Sequence, residues 1–275
     1  MSSAPNAPNA PKTADLDIVE GSLPLGLPYR ALGSGPPLVF LRWFTPDHAN
    51  PTGMMRKAEI GALAPLAAHR RVCAINRAPG MRAGMTMAEI ADDHAAALRA
   101  TYGGPVDVLG ISSGGSLALQ LALDHPDVVR RLVIGAAASR LEEHARSAQL
   151  RYAEAAATGR RGLHHLATGN GPVLGRVNKA IMWLLDPLAR PSDPADTLAF
   201  VLAEDRFDVT DRLPTLTAPT LVIGGERDTF YSTESFRRTA DRIPDSRLVI
   251  VPGVGHMGAI NHPRFAAEVL AFLDG

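Results

Sequence analysis

The chain has 275 residues and is 46% hydrophobic, enough for one large α/β domain with a substantial core and room for an insertion. Its 28 basic and 28 acidic residues cancel, so neither a basic face for nucleic acid nor an acidic one for cationic partners is implied, and small neutral substrates fit best. The single cysteine, Cys73, excludes a disulfide framework and a thiolate metal site.

From the N-terminus, residues 1–14 repeat Ala-Pro-Asn, hold almost nothing that could be buried, and are expected to form a disordered tail. They lack the basic-then-apolar layout of a secretory signal, and no apolar run elsewhere is long enough to cross a bilayer. A cytoplasmic protein with no membrane partner is the resulting expectation. Two modest strand candidates follow, around Asp15 to Glu20 and Tyr29 to Leu32. Pro36-Pro37 then introduces Leu38-Val39-Phe40-Leu41, a continuous apolar run of the kind buried on both faces of a sheet, and Arg42 to Gly53 after it reads as a loop. Arg71 to Asn76 is another inner strand with Cys73 as a buried thiol inside it, and Met87 to Tyr102 carries Ile90, Ala97 and Leu98 at helical spacing.

The stretch Val106 to Gln120 passes from a β-branched apolar run into helical composition, with Gly110, Ser112, Gly114 and Gly115 at the junction. Ser112 alone has glycines at both offsets of the G-x-S-x-G nucleophile elbow, a strained strand-to-helix turn that lifts the hydroxyl clear of the sheet. The glycines are expected to make that turn by tolerating positive φ. Ser113 offers its backbone N–H toward an oxyanion at the helix N-terminus. The bland alternative is a Gly/Ser-rich connection between strand and helix.

Leu132-Val133-Ile134 reads as a further strand, so strands and helices alternate as in a parallel sheet covered on both faces. Ser139 to about Arg212 breaks that rhythm and looks like several helices inserted between strands. The alternation resumes with strands at Thr220 to Ile223 and Arg247 to Val251 and helices at Thr233 to Ile243 and Pro263 to Leu273. Asp228 follows the first of these strands in LVIGGERD, and His256 follows the second in VPGVGHMG, both framed by glycines at the sheet edge where open α/β sheets place their sites. A serine hydroxyl needs an adjacent base, and that base an orienting carboxylate; Ser112, His256 and Asp228 supply one of each. Weaker candidates are Glu226 for the acid, His262 as a capping residue, and His48 as a loop residue. His164-His165 have no carboxylate or thiol at metal-ligand spacing, and no metal site is expected.

The chain order Ser, Asp, His, with separations of 116 (228 − 112) and 28 (256 − 228) residues, resembles that of the α/β-hydrolase superfamily over about residues 15 to 275. The resemblance implies a mostly parallel α/β-hydrolase sheet with helices on both faces. It divides into a core (15–138), a helical cap (139–212) and a second core segment (213–275). It also implies Ser112 as nucleophile, Asp228 as acid and His256 as base. Many relatives carry His-Gly after the strand that matches Leu38 to Leu41, where this chain reads Arg42-Trp43-Phe44. The oxyanion hole is therefore expected from the N–H groups of Ser113 and Phe44, with Trp43 as a wall. Met182, Trp183, Leu184 and Leu185 are expected on the underside of the lid, with Met182, Trp183 and Met257 touching substrate. The expected activity is cofactor-free hydrolysis of an ester, thioester or lactone of a small apolar substrate. C–C bond hydrolysis, lyase or cyclase chemistry with the same triad, and a non-catalytic ligand-binding role, are the alternatives. Expected partners are a small-molecule substrate and, as an option left open, a second copy of the chain in a homodimer.

Overall fold

The apolar runs become the inner strands of one sheet in the computed structural model, which describes residues 16–167 and 172–275; the tail expected at 1–14 lies outside the described residues. In chain order the strands are β1 (Ile18–Ser22), β2 (Pro28–Leu32), β3 (Pro37–Leu41), β4 (Arg71–Ile75), β5 (Val106–Ile111), β6 (Val129–Gly135), β7 (Thr220–Gly225) and β8 (Ser246–Val251). They lie side by side as β1-β2-β4-β3-β5-β6-β7-β8. The pairs β1–β2 and β2–β4 are antiparallel, and every pair from β4 to β8 is parallel. Every residue of β5 and β7 is buried, as the unbroken apolar runs require of central parallel strands.

The period of two along β3 sorts its side chains between two cores. Leu38 and Phe40 pack with Ile60, Leu63 and Leu66 of α1 (Gly53–Ala67) and with Phe265, Val269 and Leu273 of α9 (Pro263–Asp274). Val39 and Leu41 face the other side, where α2 (Met87–Tyr102), α3 (Ser113–Asp124) and α7 (Thr233–Arg242) contribute Ile90, Leu98, Leu121 and Phe236. The start of α2 is set by a capping box between Thr86 and Glu89, and its end by Gly103 at φ 67°. A short helix, α8 (His256–Ile260), begins five residues after β8 ends.

Between β6 and β7 the chain forms α4 (Glu143–Ala157), α5 (Pro172–Leu185) and α6 (Pro194–Asp205), joined by short 3-10 turns. Helix α6 is anchored by Asp196, whose carboxylate accepts from Arg77 Nε at 2.8 Å and Nη2 at 2.6 Å, both residues buried. The stretch read as a loop from Arg42 to Gly53 gives way at Gly53 to α1, which carries Pro65 inside it. Glu59 of α1 is fully buried and takes hydrogen bonds from Arg42 Nε (2.6 Å) and Nη2 (3.1 Å) and from Arg30 Nη1. The residue that opens the Arg42-Trp43-Phe44 stretch is thus pinned from below by a carboxylate on the next helix.

Candidate active site

Ser112 stands between β5 and α3 at φ 55° and ψ −124°, a backbone conformation that costs a non-glycine residue about 1–3 kcal/mol. Its N–H donates to Gly135 O at 2.9 Å, and its carbonyl accepts from Gly115 N at 2.7 Å and Ser116 N at 3.2 Å. The strain is on the serine rather than on its neighbours, because none of Gly110, Gly114 and Gly115 has positive φ. This corrects the expected role of the glycines, which is clearance. A Cβ on Gly114 would lie 2.0 Å from Leu41 O, and one on Gly110 would lie 2.2 Å from Gly114 O. Side chains at either position would push α3 away from the sheet.

The three residues expected to act together are in contact. His256 Nε2 lies 3.1 Å from Ser112 Oγ, and His256 Nδ1 lies 2.8 Å from Asp228 Oδ2. The Asp228 side chain is fully buried, and its other oxygen accepts from the N–H groups of Phe230 (2.8 Å) and Tyr231 (3.2 Å). With Nδ1–H donating to the carboxylate, the proton stays on Nδ1 and Nε2 is left as the acceptor facing the serine. The Phe230 ring leans on the imidazole with centroids 4.9 Å apart, and the Tyr231 ring stacks 6.1 Å away at 20°. Glu226 points elsewhere and accepts from Gly253 N at 2.7 Å. His262 caps α9 by accepting from Arg264 N.

Beside Ser112 is a cavity of about 360 Å³. Trp43 and Phe44 wall it from the loop after β3, while Phe230, His256 and Met257 close the opposite side. Leu166, Ile181 and Met182 line it from the segment between β6 and β7, together with two amides, Gln149 of α4 and Asn178 of α5. His256 is the one titratable lining residue among those described. Phe44 is itself fixed by an edge contact to Tyr152 (5.6 Å) and a stack on Phe200 (6.0 Å).

Trp183, Leu184 and Leu185 do not line the cavity, which corrects the reading of Met182 to Leu185 as one apolar underside. A helix presents residues at i, i+3 and i+4 to one side, and on α5 those are Asn178, Ile181 and Met182. Trp183 and Leu184 rotate away, 46% and 66% exposed, with the Arg161 guanidinium 3.8 Å over the Trp183 ring; Leu185, at i+7 from Asn178, shares the cavity side of the helix but comes a turn later, outside the lining.

One acid that the motifs did not single out lies immediately behind the elbow. Glu204, in the last turn of α6, is 1% exposed and accepts from Ser113 Oγ at 2.7 Å and Ser116 Oγ at 3.1 Å. Burial pushes its carboxyl up to about 7, opposed by hydrogen bonds from Ser113, Ser116 and Gln149 and by the field of His256. A sequence signal existed: Asp196, Phe200 and Glu204 recur at i, i+4 and i+8, two acids on the stripe that buries the phenylalanine.

The profile of the Alpha/beta hydrolase family matches residues 43–269. The chain belongs to that family. It is 32% identical over 62% of its length to a segment making up 9% of polyketide synthase ThaQ of Burkholderia thailandensis. It is 29% identical, over 62% of its length and 58% of the relative, to a pimeloyl-[acyl-carrier protein] methyl ester esterase of Neisseria meningitidis serogroup A. The chain therefore spans less than two thirds of either relative. Its fold is shared with the enol-lactonase of Burkholderia xenovorans LB400, at TM-score 0.70 and 20% identity over 94% of this chain and 100% of that one. No helix among the described residues is long and apolar enough to cross a membrane.

Proposed function

We propose that this protein is a cofactor-free serine hydrolase that cleaves an ester, thioester or lactone of a small, uncharged, largely apolar substrate through an acyl-enzyme. The observation that carries the reading is the continuous hydrogen-bonded line from Asp228 through His256 to Ser112, at 2.8 and 3.1 Å, opening onto the apolar cavity. In this reading His256 Nε2 takes the Ser112 proton as Oγ adds to the acyl carbonyl, and buried Asp228 stabilises the imidazolium. The oxyanion forms beside the N–H groups of Ser113 and Phe44. Collapse returns the proton to the leaving oxygen or sulfur, and a water activated by the same imidazole hydrolyses the acyl-serine. The named esterase relative and the lactonase sharing the fold both support acyl–oxygen cleavage.

The cavity is near the small end of the roughly 300–1,000 Å³ range of ligand sites, and it offers amides rather than charges for orientation. The segment between β6 and β7 acts as a lid whose substrate-facing apolar residues are Leu166, Ile181 and Met182. A fluorophosphonate should label Ser112 and no other serine, as read by peptide mass spectrometry, and an unlabelled Ser112 overturns the reading. Trp43→Gly is expected to raise kcat/KM for branched acyl esters about 10- to 100-fold relative to acetate, the scale of one or two methylene contacts. Competition assays with paired esters measure this; an unchanged ratio removes Trp43 from the acyl wall.

A further inference from the structure

Five acids among the described residues are buried as whole residues: Glu59, Asp107, Asp186, Asp196 and Glu204. The first four each hold an arginine, namely Arg42, Arg70, Arg190 and Arg77. Glu204 has none among its described contacts. Its carboxylate instead accepts from the hydroxyls of Ser113 and Ser116 on α3, and the Gln149 side chain on α4 further favours its charged form. The titratable groups whose fields couple to it are His256 and Tyr231. Tyr231 is buried and donates its backbone N–H to Asp228. A buried carboxylate without a permanent cation is costly, and here the field of the His256 imidazole acts on it from beyond the elbow, favouring its charged form.

We propose that Glu204 is a positioning residue for the hydrolytic step: from α6 it fixes Ser113, whose N–H serves the oxyanion, and Gln149 on the cavity wall, and it presents a second negative charge to the imidazolium formed on His256. This inference rests on the serine-hydrolase reading above. Geometry and charge act together in it. An ionised carboxylate has only acceptor positions, so all three donors are satisfied at once. A proton on Glu204 turns one of its oxygens into a donor, which displaces Ser113, Ser116 or Gln149 and removes the charge facing His256. Protonation between neutral and mildly acidic pH, where burial has moved this carboxyl, therefore disturbs the elbow and the cavity wall in one event.

The test is Glu204→Gln, close to the same shape with no charge, assayed on the 275-residue chain with an activated ester between about pH 5 and 9. The expected result is a fall in kcat on the order of tenfold with KM nearly unchanged, because the lost interaction is made with a charge that exists only during turnover. Removing a negative charge beside the imidazolium also moves the acid limb of the kcat/KM profile to lower pH. Glu204→Asp keeps the charge one methylene further from Ser113; it should retain the wild-type acid limb while kcat falls several-fold. A Glu204→Gln enzyme with a lowered thermal midpoint but wild-type kcat and acid limb overturns the proposal, since a clamp between α6 and α3 predicts that outcome. Should Glu204→Gln fail to fold, the aspartate variant decides alone: a wild-type kcat, or a displaced acid limb, overturns the proposal. Failure of the underlying reading is distinguishable, because wild-type protein would then neither hydrolyse the ester nor take up fluorophosphonate at Ser112.

Discussion

Ser112→Ala is expected to lower kcat on an activated ester by about a million-fold, and His256→Ala by nearly as much, with the double variant scarcely worse than either. On the proposed reading the hydroxyl and the imidazole, 3.1 Å apart, act as one unit, so removing either leaves the other without a reaction to assist. What remains is the contribution of cavity binding and backbone donors, which in comparable triads is about 10³–10⁴-fold over the uncatalysed rate. Circular dichroism and the thermal midpoint should be unchanged in Ser112→Ala, because alanine occupies the same strained backbone and the lost oxygen packs against little. Ester turnover by stopped absorbance is the measurement. Near-wild-type turnover in Ser112→Ala, or strictly multiplicative losses in the double variant, would show that these residues do not form a catalytic unit.

The second large effect concerns stability. Glu59→Ala leaves Arg42, 5% exposed, without a carboxylate and Arg30, fully buried, with only the half-exposed Glu20, and removing one partner of a buried ion pair costs about 3–5 kcal/mol. For a chain of this size that corresponds to a fall in thermal midpoint on the order of 10 °C. Replacing Arg30, Glu59 and Arg42 together by apolar residues of similar volume should recover most of the loss, since the penalty belongs to the unpaired charges. Urea denaturation of the single and triple variants checks both statements; a Glu59→Ala midpoint within error of wild type would mean that water reaches the arginines. Arg42 opens the stretch carrying Trp43 and Phe44, so the single variant should also lose activity at temperatures where it remains folded.

Much of the sheet was legible because central parallel strands are buried on both faces. Leu38 to Leu41 and Thr220 to Ile223 had to be unbroken apolar runs, and both lie within strands of the structure. Helix α2 was equally readable, bounded by Thr86 and Gly103 with Ile90 and Leu98 on its buried side. Helix α1 was not, since it opens on Gly53, holds Pro65, and hides a charged residue, Glu59, where a core helix would show a hydrophobe. At the candidate site, Ser112, Asp228 and His256 were legible because each ends a strand in a glycine-framed loop. Glu204 was not, since an acid in the last turn of a helix ordinarily faces solvent and only its hydrogen bonds to Ser113 and Ser116 of α3 show otherwise. Trp183 was misplaced for a related reason: composition marks an apolar run, while the helix distributes it around its circumference.

The crossover of the chain between β6 and β7 also sets a clock. Ser112 and His256 are 144 residues apart, and β5 is flanked in the sheet by β3 and β6, both completed before the histidine is made. At a synthesis rate of about 5–20 residues per second, the imidazole emerges roughly 7–30 s after the serine. Through that interval the elbow can fold against its neighbouring strands while its hydroxyl lacks the imidazole proposed as its base. If the proposed triad holds, the nascent chain is chemically silent toward acyl compounds around the ribosome, and hydrolytic competence arrives only with the last strand and the short helix behind it.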